Sequence, residues 1–194
     1  MKAVKKLAGK TILWLLGWKA EARMPDVPKC IVVGHPHTST WDFPLFIFTL
    51  WALGINMRWI GKQSLFDGPM GGLYRALGGL PVDRSGGKNT VQAVADLFAQ
   101  HEELIFGLAP AGTRSHSPHW KSGFYHMALA ANVPLVLGSI DFGRRTGCLL
   151  QTVHLTGNMT EDMDTIRAVY QDVKGRNPEQ ETPIRLAEET ATEE

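Results

Sequence analysis

The sequence predicts an α/β protein: a mixed central sheet flanked by helices, with an amphipathic helix at the N-terminal end. Three observations predict it. Short apolar runs rich in β-branched residues recur along the chain, separated by stretches of helical period. The 194 residues suit one domain. Hydrophobic residues at 44% and charged residues at 20% are a core-forming composition, which excludes disorder of the whole chain.

The first element is the helix. Val4, Ala8, Ile12, Leu15 and Trp18 recur at steps of three and four, and lysines rim them. The apolar run Ile12–Trp18 is far shorter than the roughly 20 residues that cross a bilayer. No small-residue cleavage site follows it, so it does not read as a signal peptide. A basic amphipathic helix with Trp14 and Trp18 suits the surface of an anionic membrane; the plainer reading is a helix packed on its own domain.

The remaining elements follow in order. Lys29–Gly34 reads as a buried strand, 35–42 as a loop, and 43–55 as a helix begun by Asp42 and Pro44. Phe43–Met57 carries no charge and is still too short to span, which suits a buried or monotopic helix. Met57–Gly61 and Leu80–Val82 read as strands around a short helical piece, Gly71–Leu77. Asn89–Gln100 reads as an amphipathic helix, Glu103–Ala109 as a buried strand, 110–121 as a polar loop and Ser122–Ala131 as a helix. Val133–Ile140 and 147–155 read as strands, and 160–173 as a helix capped by Thr160. The expected division is a membrane-associating helix over 1–22, a main domain over 23–182, and an acidic, frayed and solvated tail over 183–194.

Charge narrows the function. The net charge of +1 gives no general pull toward nucleic acid. Residues 1–24 are basic, with Lys2, Lys5, Lys6, Lys10, Lys19 and Arg23 against Glu21, whereas six glutamates face Arg185 over 179–194. Cys30 and Cys148 lie far apart without metal or disulfide spacing, which suits a reducing cytoplasm. There is no GxGxxG and no P-loop, so no cofactor is expected.

Chemistry concentrates in two loops that follow apolar strands. In GHPHTSTWDFP an aspartate five residues after His37 can fold back on the imidazole. Asp42 on Nδ1 would fix the tautomer and leave Nε2 as a general base. No serine or cysteine stands in a nucleophile elbow, so direct transfer fits better than an acyl-enzyme. His35 and His37 could instead bind a metal with His116, His119 or Asp83, though no metal-site spacing supports it. In APAGTRSHSPHWKSG, Gly112 allows close approach of an anion, Thr113 offers a hydroxyl, and Arg114 offers a bidentate fork. Arg84, Lys62 and Arg75 are further cations in the predicted loops.

Together these blocks resemble the glycerophosphate/lysophosphatidate O-acyltransferase family. His37 and Asp42 resemble its His-x4-Asp block, and GKQSLFDGPMGGLYRALGGLPVDR its second block and neighbouring region. PAGTRS resembles Pro-Glu-Gly-Thr-Arg-Ser, and ANVPLVLGSID the fourth block. The four are in the family's order over residues 31–141, nearest to a short bacterial branch with PHTSxWDF. The resemblance implies a glycerol-3-phosphate acyltransferase-like fold. It implies transfer of an acyl chain from acyl-CoA or acyl carrier protein to a hydroxyl of a glycerophosphate or lysophospholipid, on the inner face of the cell membrane. His37 would be the base and Asp42 its orienter. Residues 111–114 would hold the acceptor phosphate, helped by Arg84 and Lys62. Two positions depart from the pattern. Ala111 stands where the family has glutamate, which implies weakened activity, and Leu137 stands where many members have a second proline. The rival readings are a non-catalytic lipid-binding protein on the same fold and an acyltransferase with another acceptor.

Overall fold

The computed structural model describes residues 2–22, 27–82 and 87–192. Helix α1 (Lys2–Leu15) leads into strand β1 (Lys19–Ala22). Strand β2 (Lys29–Gly34), helix α2 (Asp42–Leu53) and strand β3 (Arg58–Lys62) follow. Two short helices, α3 (Gln63–Asp67) and α4 (Gly71–Ala76), precede β4 (Gly79–Val82), α5 (Gly87–Gln100) and β5 (Leu104–Leu108). The chain continues through α6 (Gly123–Ala131), β6 (Leu135–Asp141), β7 (Thr146–Val153) and α7 (Met159–Tyr170), and ends in two 3-10 turns, Pro178–Gln180 and Ala187–Thr192.

The strands form one sheet in the order β1-β7-β6-β2-β5-β3-β4. Strands β6, β2, β5, β3 and β4 run parallel, and β7 and β1 run against them. The C-terminal ends of the five parallel strands therefore share one edge, where loops of such sheets gather ligands. Strand β2 shows why its sequence is continuously apolar. Ile31 and Val33 enter the core beneath α5, α6 and α7, while Cys30 and Val32 face the core beneath α2. Burial pushes the Cys30 thiol up to about 12, so it packs as a small hydrophobe.

The uncharged stretch after Asp42 has the same explanation. No residue of α2 is exposed, because the helix lies between the sheet and α1. The predicted stripe of α1 is corrected. Its buried residues are Gly9 and Leu13, while Val4 and Leu15 are exposed and Trp18 lies past the helix end. A Cβ at Gly9 would lie 2.6 Å from Ala52 N and 2.7 Å from Phe48 O, so glycine brings the two backbones together at this face, with Leu13 buried beside it and Val4, Leu7, Trp14 and Leu15 left outward. Gly17, at φ 71°, ends α1; Trp18 N donates to Leu13 O (2.7 Å), and the chain enters β1. Residues 19–22 are thus sheet, not a continuation of the amphipathic helix.

Two further expectations change. Asn158, not Thr160, caps α7, because its side chain accepts from Glu161 N. The segment 183–192 is not frayed through its length. Leu186 is fully buried, and Glu189 pairs with Arg167 at 2.7 Å. The acidic run is tied down by a cation and by Leu186 in the core.

Candidate active site

Strand β2 delivers the first loop to the shared edge, and α2 begins at Asp42, whose carboxylate turns back over that loop. Asp42 Oδ2 accepts from Thr38 N at 2.9 Å and Ser39 N at 2.8 Å. His37 Nδ1 lies 3.1 Å from the same oxygen. Asp42 is 5% exposed, and the first turn of a helix favours its negative charge. The His37 side chain is 30% exposed. With Nδ1 turned to the carboxylate, Nε2 is the nitrogen left to take a proton. The expected pairing of His37 with Asp42 is present in the geometry.

His35, two residues earlier, does something different. Its ring packs between Trp120 and Tyr170, both centroids at 5.1 Å. Burial pushes its pKa down to about 4, so it stays neutral near pH 7. Its backbone N–H donates to Gly138 O on β6 (3.0 Å). It anchors the loop start, and its placement gives no support to a shared metal site with His37. His116 and His119 point Nδ1 at the carbonyls of Glu181 and Trp120, at 2.9 and 3.1 Å.

Strand β5 delivers the second loop beside the first, since β2 and β5 are neighbours. Gly112 adopts φ 66°, a conformation that favours glycine. Thr113 Oγ1 accepts from Ser115 N (3.2 Å). Arg114 is exposed, and among the described residues its guanidinium has no ion-pair or hydrogen-bond partner. Ala111 is buried at 8% exposure against the main core. Lys62 closes β3 on the same edge, but its side chain is outside what the structure describes. Arg84 lies outside the described residues, two positions after β4 ends. Arg75 serves the fold instead of an anion: it donates to Phe66 O (3.0 Å) and lies over the Phe66 ring.

Sequence reasoning missed the segment after α7. Asn177 and Gln180 reach the first loop through Thr38, and Gln180 also reaches the second through Arg114. No motif marks these residues; only the fold brings them to positions so distant in sequence.

The sheet edge thus carries a His–Asp pair beside a glycine turn and an arginine whose guanidinium, among the described residues, has no ion-pair or hydrogen-bond partner. The acyltransferase family model matches residues 19–139, and the chain belongs to that family. It is 26% identical over 138 residues to a 1-acyl-sn-glycerol-3-phosphate acyltransferase from Limnanthes alba, covering 67% of this chain. The match spans 48% of that relative, so the chain spans about half the length of the curated protein it resembles. The crystal structure of the 1-acyl-sn-glycerophosphate acyltransferase PlsC from Thermotoga maritima shares the fold. The TM-score is 0.58 at 18% identity, covering 89% of this chain and 78% of that one.

Proposed function

We propose that this chain is an O-acyltransferase that moves a fatty acyl group from a thioester, acyl-CoA or acyl carrier protein, to a hydroxyl of a glycerophosphate such as lysophosphatidate, as in phospholipid synthesis. The observation that carries the reading is the buried Asp42 carboxylate gathering His37 Nδ1 and two loop amides on one oxygen. His37 Nε2 removes the acceptor hydroxyl proton as that oxygen attacks the thioester carbonyl. The tetrahedral oxyanion collapses, the C–S bond breaks, and the imidazolium returns the proton to the departing thiolate. Asp42 stabilises the imidazolium between the two steps. Arg114, with Gly112 and Thr113, holds the acceptor phosphate, helped by Lys62, which closes β3 on the same edge, and by Arg84.

The acceptor reaches the site from an anionic membrane surface, the inner face of the cell membrane. The outward face of α1 supports this reading: Val4, Leu7, Trp14 and Leu15 are exposed amid Lys2, Lys5, Lys6 and Lys10. Trp41, on the catalytic loop, is 49% exposed and carries the Arg176 guanidinium over its ring. Among the described residues no helix is long and apolar enough to cross a membrane.

The test is thiol release from acyl-CoA with lysophosphatidate. It is expected from the chain and lost in His37→Ala, and equal release by both refutes the base. Acyl carrier protein thioesters separate the donors. Lipid binding without release from either donor favours the non-catalytic lipid-binding reading, for which Ala111 is the supporting residue. Flotation with anionic liposomes is expected for the parent and lost in Trp14→Ser/Leu15→Ser. Point changes are preferable to removing residues 1–22, which would also strip β1 from the sheet.

A further inference from the structure

After α7 the chain turns back across the sheet edge between the two site loops. Asn177 donates through Nδ2 to Thr38 O (2.8 Å) and through its backbone N–H to Thr38 Oγ1 (3.2 Å). Gln180 donates to both Thr38 O (3.0 Å) and Arg114 O (2.9 Å) once its side-chain amide is turned so that nitrogen, not oxygen, faces these two carbonyls, the orientation that satisfies both ends of the amide. One side-chain nitrogen thus spends its two hydrogens on the two loops.

The contact continues in register. Glu181 offers its carbonyl to His116, and Thr182 Oγ1 accepts from Ser117 N (3.2 Å). Glu181 Oε1 accepts from Gly175 N (2.7 Å), closing the turn that presents Asn177 and Gln180. Gly175 shows how close the approach is: a Cβ there would lie 2.8 Å from Thr38 Oγ1 and 3.1 Å from Pro36 Cβ. The Thr38 residue is therefore held from two sides. Its N–H binds the carboxylate that orients His37, and its carbonyl binds this segment.

We propose that Gln180 and Asn177 are positioning residues for acyl transfer, a clasp in which Gln180 fixes the distance between the His37 loop and the Arg114 loop. The inference rests on the reading of His37 as base and of the 111–114 loop as acceptor site. Transfer needs the acceptor hydroxyl at Nε2 while its phosphate sits on the other loop, so the spacing of two otherwise separate loops governs productive binding. Gln180 acts on both loops, whereas Asn177 acts on the base loop alone.

The experiment compares the full-length chain with Gln180→Met, Asn177→Ala and His37→Ala, using acyl-CoA and lysophosphatidate, in the Ala111 parent and its Ala111→Glu form. Methionine keeps the length of Gln180 and removes the donors. Gln180→Met is expected to raise the acceptor KM and lower kcat, with kcat/KM down about 10- to 30-fold for two lost hydrogen bonds. Asn177→Ala is expected to lower kcat about 5-fold with the acceptor KM held. The KM for acyl-CoA stays constant in both. A lower melting temperature with unchanged KM values and pH profile, the signature of a purely structural tie, overturns the clasp. So does a Gln180→Met enzyme equal to its parent while His37→Ala is inactive. If His37→Ala equals the parent, or neither parent releases thiol from acyl-CoA or from an acyl carrier protein thioester, the underlying reading fails and the clasp falls with it.

Discussion

Replacing Asp42 by asparagine tests the site most directly, because the side chain keeps its shape and loses its charge. Asparagine still offers one acceptor oxygen to the Thr38 and Ser39 amides, so the loop retains a way to close. What disappears is the negative charge beside an imidazole that, on the proposed mechanism, becomes positive during transfer. At the observed 3.1 Å separation, with an effective dielectric constant near 20, that attraction is about 5 kcal/mol. The His37 side chain is 30% exposed, and water screening reduces the effective figure to about 3–4 kcal/mol. The expected fall in kcat is therefore about 10²- to 10³-fold. The assay is thiol release under saturating acyl-CoA and lysophosphatidate, with melting temperature recorded to confirm folding. A folded Asp42→Asn enzyme within about threefold of its parent would refute the argument and leave Asp42 as a loop fastener only.

Other predictions follow from packing and charge. Gly9→Ala places a methyl against the α2 backbone, and is expected to cost about 1–3 kcal/mol in urea unfolding; an unchanged midpoint refutes the close contact. His35 is neutral when folded down to about pH 4 but takes a proton near pH 6.5 when unfolded. Protonation therefore favours unfolding, and stability falls by about 3 kcal/mol as pH drops through that window. In His35→Leu that component of the slope is absent from the stability–pH curve, and persistence of the full slope refutes the assignment. On the proposed reading of the 111–114 loop as acceptor site, Ala111→Glu is expected to raise turnover roughly 10- to 150-fold by adding a charged hydrogen bond there. Equal turnover by the two forms counts against it.

The buried strands were the most legible part of the chain. Lys29–Gly34 is readable to the residue, because a strand covered on both faces is apolar without interruption. The His–Asp pair was readable for a similar reason: both members lie on one short connection, where spacing in sequence limits spacing in space. The N-terminal helix was harder. Periodicity finds an apolar stripe, but Gly9, with no side chain to register in it, decides which face meets α2. The acidic segment near Glu189 was misread because its partner, Arg167, lies on α7 and nothing local signals the pairing. Asn177 and Gln180 are invisible for a stronger reason. They are ordinary polar residues whose only distinction is the pair of carbonyls that the fold sets before them.

Sheet topology also orders events during synthesis. Helices α1 and α2 are near neighbours in the chain and can associate soon after they emerge. Strand β1, between them in sequence, pairs with residues 146–149 of β7. At a translation rate of about 5–20 residues per second, that partner arrives on the order of ten seconds later. A growing chain thus carries an early helical hairpin beside a strand still waiting for its neighbour, a state in which unpaired strand edges invite the wrong partner. Residues 175–182 are made later still, so a ribosome has already released His37, Asp42 and Arg114 well before the two loops can be drawn together.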